Sequence, residues 1–141
     1  MPPLALLDTD TLSEVMKGKN SSVEQHAREY LRAHGQFRIS VITRYEILRG
    51  LKSKQAVRQI AIFENKCNKS YTYPVTEEIV VQASDIYAHL HQKGLLISDA
   101  DILIAATAMV HNLILITGNV DHFNRIPHLL CNSWKSPQIR P

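Results

Sequence analysis

Leu113-Ile114-Leu115-Ile116-Thr117-Gly118-Asn119 is the stretch on which the fold turns. A short unbroken apolar run, closed at once by Gly118 and Asn119, reads as a strand buried on both faces, the pattern of a parallel sheet. Such a strand needs helices on either side of it. Immediately upstream, Ser98 and Asp99 introduce a predicted helix running to about Val110. At the other end of the chain, Leu4 to Leu7 is a second short apolar run, and it ends in Asp8. Strands separated by helical segments point to an α/β domain in layers, with a mainly parallel central sheet.

Working outward from these two runs, a helix is expected from Asp10 to Lys17, with Asp10 a good N-cap and Gly18 the stop. A second helix is capped by Ser21 or Ser22, carries an apolar stripe of Val23, Ala27, Tyr30 and Leu31, and stops at Gly35. Arg38 to Ile42 reads as a strand. Thr43-Arg44-Tyr45-Glu46 then has capping-box spacing, which predicts a helix through about Lys52. A further helix covers Gln55 to Asn65, and Tyr71 to Val75 is extended. Thr76 caps a long helix from Glu77 to about Lys93, ended by Gly94. After Asn119 come a helical turn near His122, a possible edge strand at Leu129 to Cys131, and a tail with prolines. The domain is drawn at 1–131 and the tail at 132–141.

Composition bounds the function classes. With 141 residues, of which 45% are hydrophobic, there is enough apolar material for one core and no room for a second domain. The longest apolar run, Ile102 to Val110, is about half of the roughly 20 residues a membrane span needs. Met1 to Leu7 carries no basic leader, so the expectation is a cytoplasmic protein without a membrane partner. Cys67 and Cys131 have no Cys or His at ligand spacing and read as reduced thiols. A net charge of +3 names no partner by itself. Its distribution says more. Between Arg32 and Arg58 lie Arg38, Arg44, Arg49, Lys52 and Lys54, with Glu46 the one acid among them, a field suited to phosphate or to an acidic peptide.

The acids collect where the strands end. Asp8 and Asp10 follow the first strand, Glu46 follows the second, Asp99 and Asp101 open a helix, and Asn119 and Asp121 follow the run ending at Ile116. Ligands in open parallel sheets bind outside the carboxyl ends of the strands. Carboxylates gathered there repel one another, which a hard divalent cation relieves. Mg²⁺ takes a few carboxylate oxygens and keeps several waters. Bound there, it can activate a water and stabilise charge on a phosphodiester. The seven histidines offer no convincing ligand pair. His122 stands near the corner, and Trp134 reads as a packing anchor more readily than as a base-stacking platform.

Four stretches resemble the successive motifs of VapC-type PIN-domain toxins. They are Leu6-Leu7-Asp8-Thr9-Asp10-Thr11-Leu12-Ser13-Glu14, Thr43-Arg44-Tyr45-Glu46-Ile47-Leu48-Arg49-Gly50-Leu51, Asp101-Ile102-Leu103-Ile104-Ala105-Ala106-Thr107-Ala108, and the run from Thr117 to Pro127. The resemblance implies a PIN-like three-layer α/β/α domain, with Mg²⁺ (or Mn²⁺) at an acidic site. It implies cleavage of RNA and inhibition by a cognate VapB-like antitoxin encoded beside the toxin. A homodimer, and contact with DNA only through the antitoxin, are expected with it. By motif position Asp8, Glu46 and Asp101 are the acidic core, with Asp99 and Asp121 as further metal contacts. Thr9 and Thr117 are supporting hydroxyls. The fourth motif departs from the pattern. Many relatives carry an acid two residues after its Thr; here Asn119 stands there, and Asp121 follows, so either could fill the role.

Other readings attach to the same residues. Glu46 and Asp101 both suit the N3 acid of a capping box, and Thr9 either orients Asp8 or serves the turn. Leu6-Leu7-Asp8-Thr9-Asp10-Thr11 also resembles the nucleophile motif of haloacid-dehalogenase-like phosphatases, in which Asp8 would attack phosphorus. That reading leaves the Glu46 and Asp101 motifs unused. An inert PIN-like module that binds RNA or a partner is the non-enzymatic alternative.

Overall fold

The two faces of one parallel sheet divide the core. In the computed structural model, which describes residues 1–136, β1 (Ala5–Leu7) pairs in parallel with β4 (Ile114–Ile116), Leu6 opposite Leu115. Successive strand residues point to opposite faces. Leu6 and Leu115 therefore pack on one side, with α5 (Glu77–Gln92) and α6 (Asp99–Val110). Ala5, Leu7 and Ile116 pack on the other, with α1 (Thr9–Lys17), α2 (Ser21–His34) and α4 (Val57–Asn68). This is the layered parallel arrangement expected from the apolar runs, in the three α/β/α layers that the resemblance implies.

Further strands flank that pair on both sides. β5 (Cys131–Asn132) joins β4 in parallel, and β2 (Arg38–Ser40) pairs in parallel with β3 (Tyr71–Tyr73). β2 and β3 form a two-stranded sheet of their own, with β2 close beside β1 of the three-stranded β1–β4–β5 sheet. α3 (Val41–Ser53) follows β2 directly, and α7 (Val120–Phe123) is a single turn after β4. Strands run the same way within each sheet; Asp8 and Thr117 follow β1 and β4, and Ser40 ends β2, whose following helix carries Thr43 to within 3.1 Å of Thr9.

Several helix starts differ from the sequence expectation. α1 is capped by Asp8, whose side chain accepts from Thr11 N, and Asp10 lies in its first turn. Asn20, not Ser21 or Ser22, caps α2, and Leu31 stays at the surface. β2 ends at Ser40 rather than Ile42, and the Ser40 hydroxyl caps α3 by accepting from Ile42 N. Thr43 is thus inside the helix and no capping box forms with Glu46. The reason is tertiary. Burial of Ile39 and Ser40 in the sheet fixes where the strand stops, and the helix begins at the next residue. The expected starts at Thr76 and Ser98 are both found.

The segment drawn as a tail, 132–141, begins inside the fold. Asn132 belongs to β5, and Trp134 is 6% exposed among Tyr30, Phe37 and His26. Ser22 Oγ donates to the Trp134 carbonyl at 2.8 Å, so Trp134 is the packing anchor expected of it. The end of that segment, 137–141, lies outside the described residues. Cys67 is buried and Cys131 half-buried, both as free thiols. Among the described residues no helix is long and apolar enough to cross a membrane.

Candidate active site

Asp8 is the buried member of the site. Its backbone N–H donates to Ile116 O at 3.0 Å, continuing the β1–β4 ladder, and its carboxylate accepts from Thr11 N at 2.8 Å. The residue is 5% exposed. Burial raises its pKa above the usual carboxylate value, against the lowering effect of the Thr117 hydroxyl and of Thr11; Asp10 adds a small upward push. The sequence expectation was of repulsion among crowded carboxylates. Here desolvation leads, and Asp10 is the acid that contributes.

Glu46 reaches this corner from the second turn of α3. Its Oε1 accepts from the Thr9 hydroxyl at 2.6 Å, and that hydroxyl also meets Thr43 Oγ1 at 3.1 Å. Thr9 therefore orients Glu46 and not its neighbour Asp8, which settles the question left by the sequence. The bond ties the first motif to the second across 37 positions. Arg49 Nη2 stands 3.7 Å from Glu46 Oε2 on the other side.

Asp101 comes from the far side of the sheet edge. It is the third residue of α6, and its N–H donates to the capping Ser98 hydroxyl at 3.2 Å. Its Oδ2 lies 3.1 Å from His122 Nε2 on α7. Beneath α7, Asn119 N donates to Thr117 Oγ1 at 3.0 Å, and Thr117 is buried beside Asp8. A continuous set of contacts thus leads from Asp8 through Thr117, Asn119 and α7 to Asp101. Asn119 occupies the N-cap position of α7 without a side-chain cap, and Asp121 lies in its first turn rather than capping it. Asn119, Asp121 and Asp99 are all exposed.

Two more residues meet acids of this corner, Lys135, which the sequence reading missed, and His122, which it noted without assigning a role. Lys135 Nζ is 3.3 Å from Asp10 Oδ2, and both atoms lie so near Gly118 that a Cβ there would approach them to 2.8–2.9 Å. Lys135 had no local signal, because it stands outside the four motifs and arrives through the loop after β5. His122 carried a weak signal as the one histidine within the closing motif.

Among the described residues no three His, Cys, Asp or Glu side chains stand close enough to form a ready cage for a metal ion. Asp101 is turned toward His122, and Glu46 is held by Thr9 and Arg49. The donors nonetheless suit a hydrated hard cation, which needs only one or two carboxylates and completes its shell with water. All are oxygens, and Asp8 is a desolvated carboxylate surrounded by the neutral donors Thr11 and Thr117 and by the like-charged Asp10. Beside Glu46 a cleft of about 610 Å³ opens between α1, α3 and α4, lined by Thr9, Met16, Ile47, Leu51 and Ile62, with Lys17 and Lys54 at its margin.

The PIN-domain family profile matches residues 5–129. The chain is 32% identical over 114 residues to Ribonuclease VapC1 of Methanocaldococcus jannaschii, covering 81% of this chain and 82% of that protein. It is 28% identical over 131 residues to the tRNA(fMet)-specific endonuclease VapC of Salmonella typhimurium, covering 92% of this chain and 96% of the relative. The DNA-bound VapBC complex from Salmonella typhimurium contains a chain that superposes with a TM-score of 0.83 at 25% identity, covering 94% of this chain and 99% of that one.

Proposed function

The chain belongs to the PIN-domain family, among its VapC-type ribonucleases, and from that premise we propose how its residues hydrolyse RNA as the toxin of a VapBC-type pair. Membership in this family displaces the phosphatase alternative. The observation that carries the assignment of the site is the Thr9–Glu46 hydrogen bond of 2.6 Å, which gathers the acids of two distant motifs at the strand ends.

Asp8, Glu46 and Asp101 would hold Mg²⁺, or Mn²⁺ in its place, with Asp99 and Asp121 within the same rim and Asn119 offering an amide oxygen. A cation bound there would activate a water and offset charge on the phosphate. The rest of the work falls to the chain. Thr9 keeps the Glu46 carboxylate pointed at the corner, Thr117 does the same for Asp8, and His122 orients Asp101, as partners of metal-binding groups commonly do. Lys135, on a loop anchored by Trp134, offers a cation to the RNA backbone at the rim.

Partner recognition follows from the same surface. The apolar cleft beside Glu46 suits a segment of a VapB-like antitoxin, and a basic side chain on that segment would be drawn to the acids. A homodimer is proposed with it. The deciding experiment uses protein freed of antitoxin and an RNA pool with Mg²⁺ or Mn²⁺. Cleavage that stops on adding EDTA is the expected result; RNA binding with no cleavage in either metal would favour the inert module.

A further inference from the structure

Tyr45 is exposed where an aromatic ring has most to gain from cover. It precedes Glu46 on α3 and is 58% exposed. Val41, Tyr45 and Arg49 follow one another at helical spacing and form an exposed stripe on α3. The ring is not loose. The Arg49 guanidinium carbon lies 5.1 Å from its centroid, and the same guanidinium reaches to 3.7 Å from Glu46 Oε2. One cation therefore touches both an exposed aromatic face and a carboxylate of the proposed active site.

The charge around this pair selects the ligand. Arg44 is bound by Glu64 at 2.7 Å, which leaves Arg49 and Lys52 on α3, and Lys54 at its C-cap, as the exposed cations of this segment. A flat π face beside cations is the arrangement that takes an unpaired nucleobase and its phosphate. Neither feature is needed for folding, since an exposed tyrosine and a surface guanidinium add little to stability.

We propose that Tyr45 and Arg49 form a stacking platform for one unpaired base of the RNA substrate beside the cleaved bond, with Arg49 also meeting the adjoining phosphate. This rests on the ribonuclease reading above and adds a determinant of which phosphodiester is cut. A base seated on Tyr45 fixes the register of the strand over Glu46, so the platform sets a base preference at one position flanking the cut. The preference follows from stacking strength, purines over pyrimidines, rather than from hydrogen-bond readout.

Two measurements test it. In EDTA, where nothing is cut, anisotropy of a labelled random-sequence single-stranded RNA should show Tyr45→Leu binding about 10-fold more weakly and Tyr45→Phe binding as the parent does. Arg49→Gln should weaken binding and flatten its salt dependence. With Mg²⁺, mapped cuts in the same pool should lose their flanking base bias in Tyr45→Leu and keep it in Tyr45→Phe. A parent that cuts no RNA overturns the ribonuclease reading, while binding in EDTA still reports on the platform. A parent that cuts, with Tyr45→Leu matching it in affinity and base bias, overturns the platform alone. Tyr45→Leu that spoils self-association or antitoxin retention yet leaves RNA binding unchanged also overturns it, in favour of a protein contact.

Discussion

α3 and α6 each deliver one acid to the same corner, and they do so in different ways. On α6 the acid is the third residue after the Ser98 cap, so Asp101 is placed by the helix start itself. On α3 the cap is Ser40, and Glu46 lies in the second turn, placed by Thr9 from another element. Both segments show the same capping-box spacing in sequence. The comparison teaches that such spacing is sufficient where a loop precedes the helix, as before Ser98. It fails where a buried strand runs straight into the helix, as at Ser40.

The largest expected effect concerns the acids themselves. Asp8→Asn and Asp101→Asn should each lower cleavage by about 10²-fold or more, with the fold kept, as judged by circular dichroism. Normal rates in both variants would mean the two routes do not lead to one active site. Next come the orienting partners. Thr9→Val and His122→Asn should each raise the Mg²⁺ needed for half-maximal cleavage roughly 10-fold, the scale typical of groups that hold a metal ligand in place. If Thr9→Val alone does so, Asp101 is placed by its helix without help from His122. Asp121→Asn should raise the same requirement several-fold, and adding Asn119→Asp should recover part of it; an Asp121→Asn enzyme of normal metal dependence beside a failing Asn119→Ala would assign the fourth role to the amide.

The caps themselves give a smaller readout, in stability. Ser40→Ala and Ser98→Ala should each cost about 1 kcal/mol, or about 3–5 °C in thermal midpoint, by differential scanning calorimetry. Ser40→Ala should be the more damaging of the two, because its hydroxyl is buried while Ser98 is exposed.

The smallest effect separates the buried Asp8 from the rest of the site. Burial raises its folded-state pKa above the unfolded value, so the protonated form favours folding at low pH, and that contribution is lost as pH rises through the folded pKa. At neutral pH in EDTA the ionised Asp8 therefore lowers stability. Asp8→Asn, which can still cap α1, should raise the midpoint slightly relative to the parent. Mg²⁺ should raise the parent's midpoint and leave the variant's unchanged. A variant less stable than the parent in EDTA would show that capping and dipole interactions outweigh desolvation at Asp8.

The sequence by itself determined the layered parallel fold, because Leu4 to Leu7 and Leu113 to Ile116 are apolar on both faces and can rest only between two helical layers. It also determined the ends of α5 and α6, since a cap and the N–H groups it serves lie within one turn of each other. The four motifs carried Asp8, Glu46 and Asp101 as candidates. Tertiary structure decided the long-range partners at this corner. Thr9 meets Glu46 across 37 positions, His122 meets Asp101 across 21, and Lys135 meets Asp10 across 125. It decided too that β2 stops at Ser40 and that Asn132 lies in β5 rather than in a tail. The physical reason is range. Backbone hydrogen bonds in a helix or cap close over three or four residues and leave a local pattern, whereas a side chain's partner is chosen by packing of the sheet and its two layers, and no spacing in the chain encodes that distance.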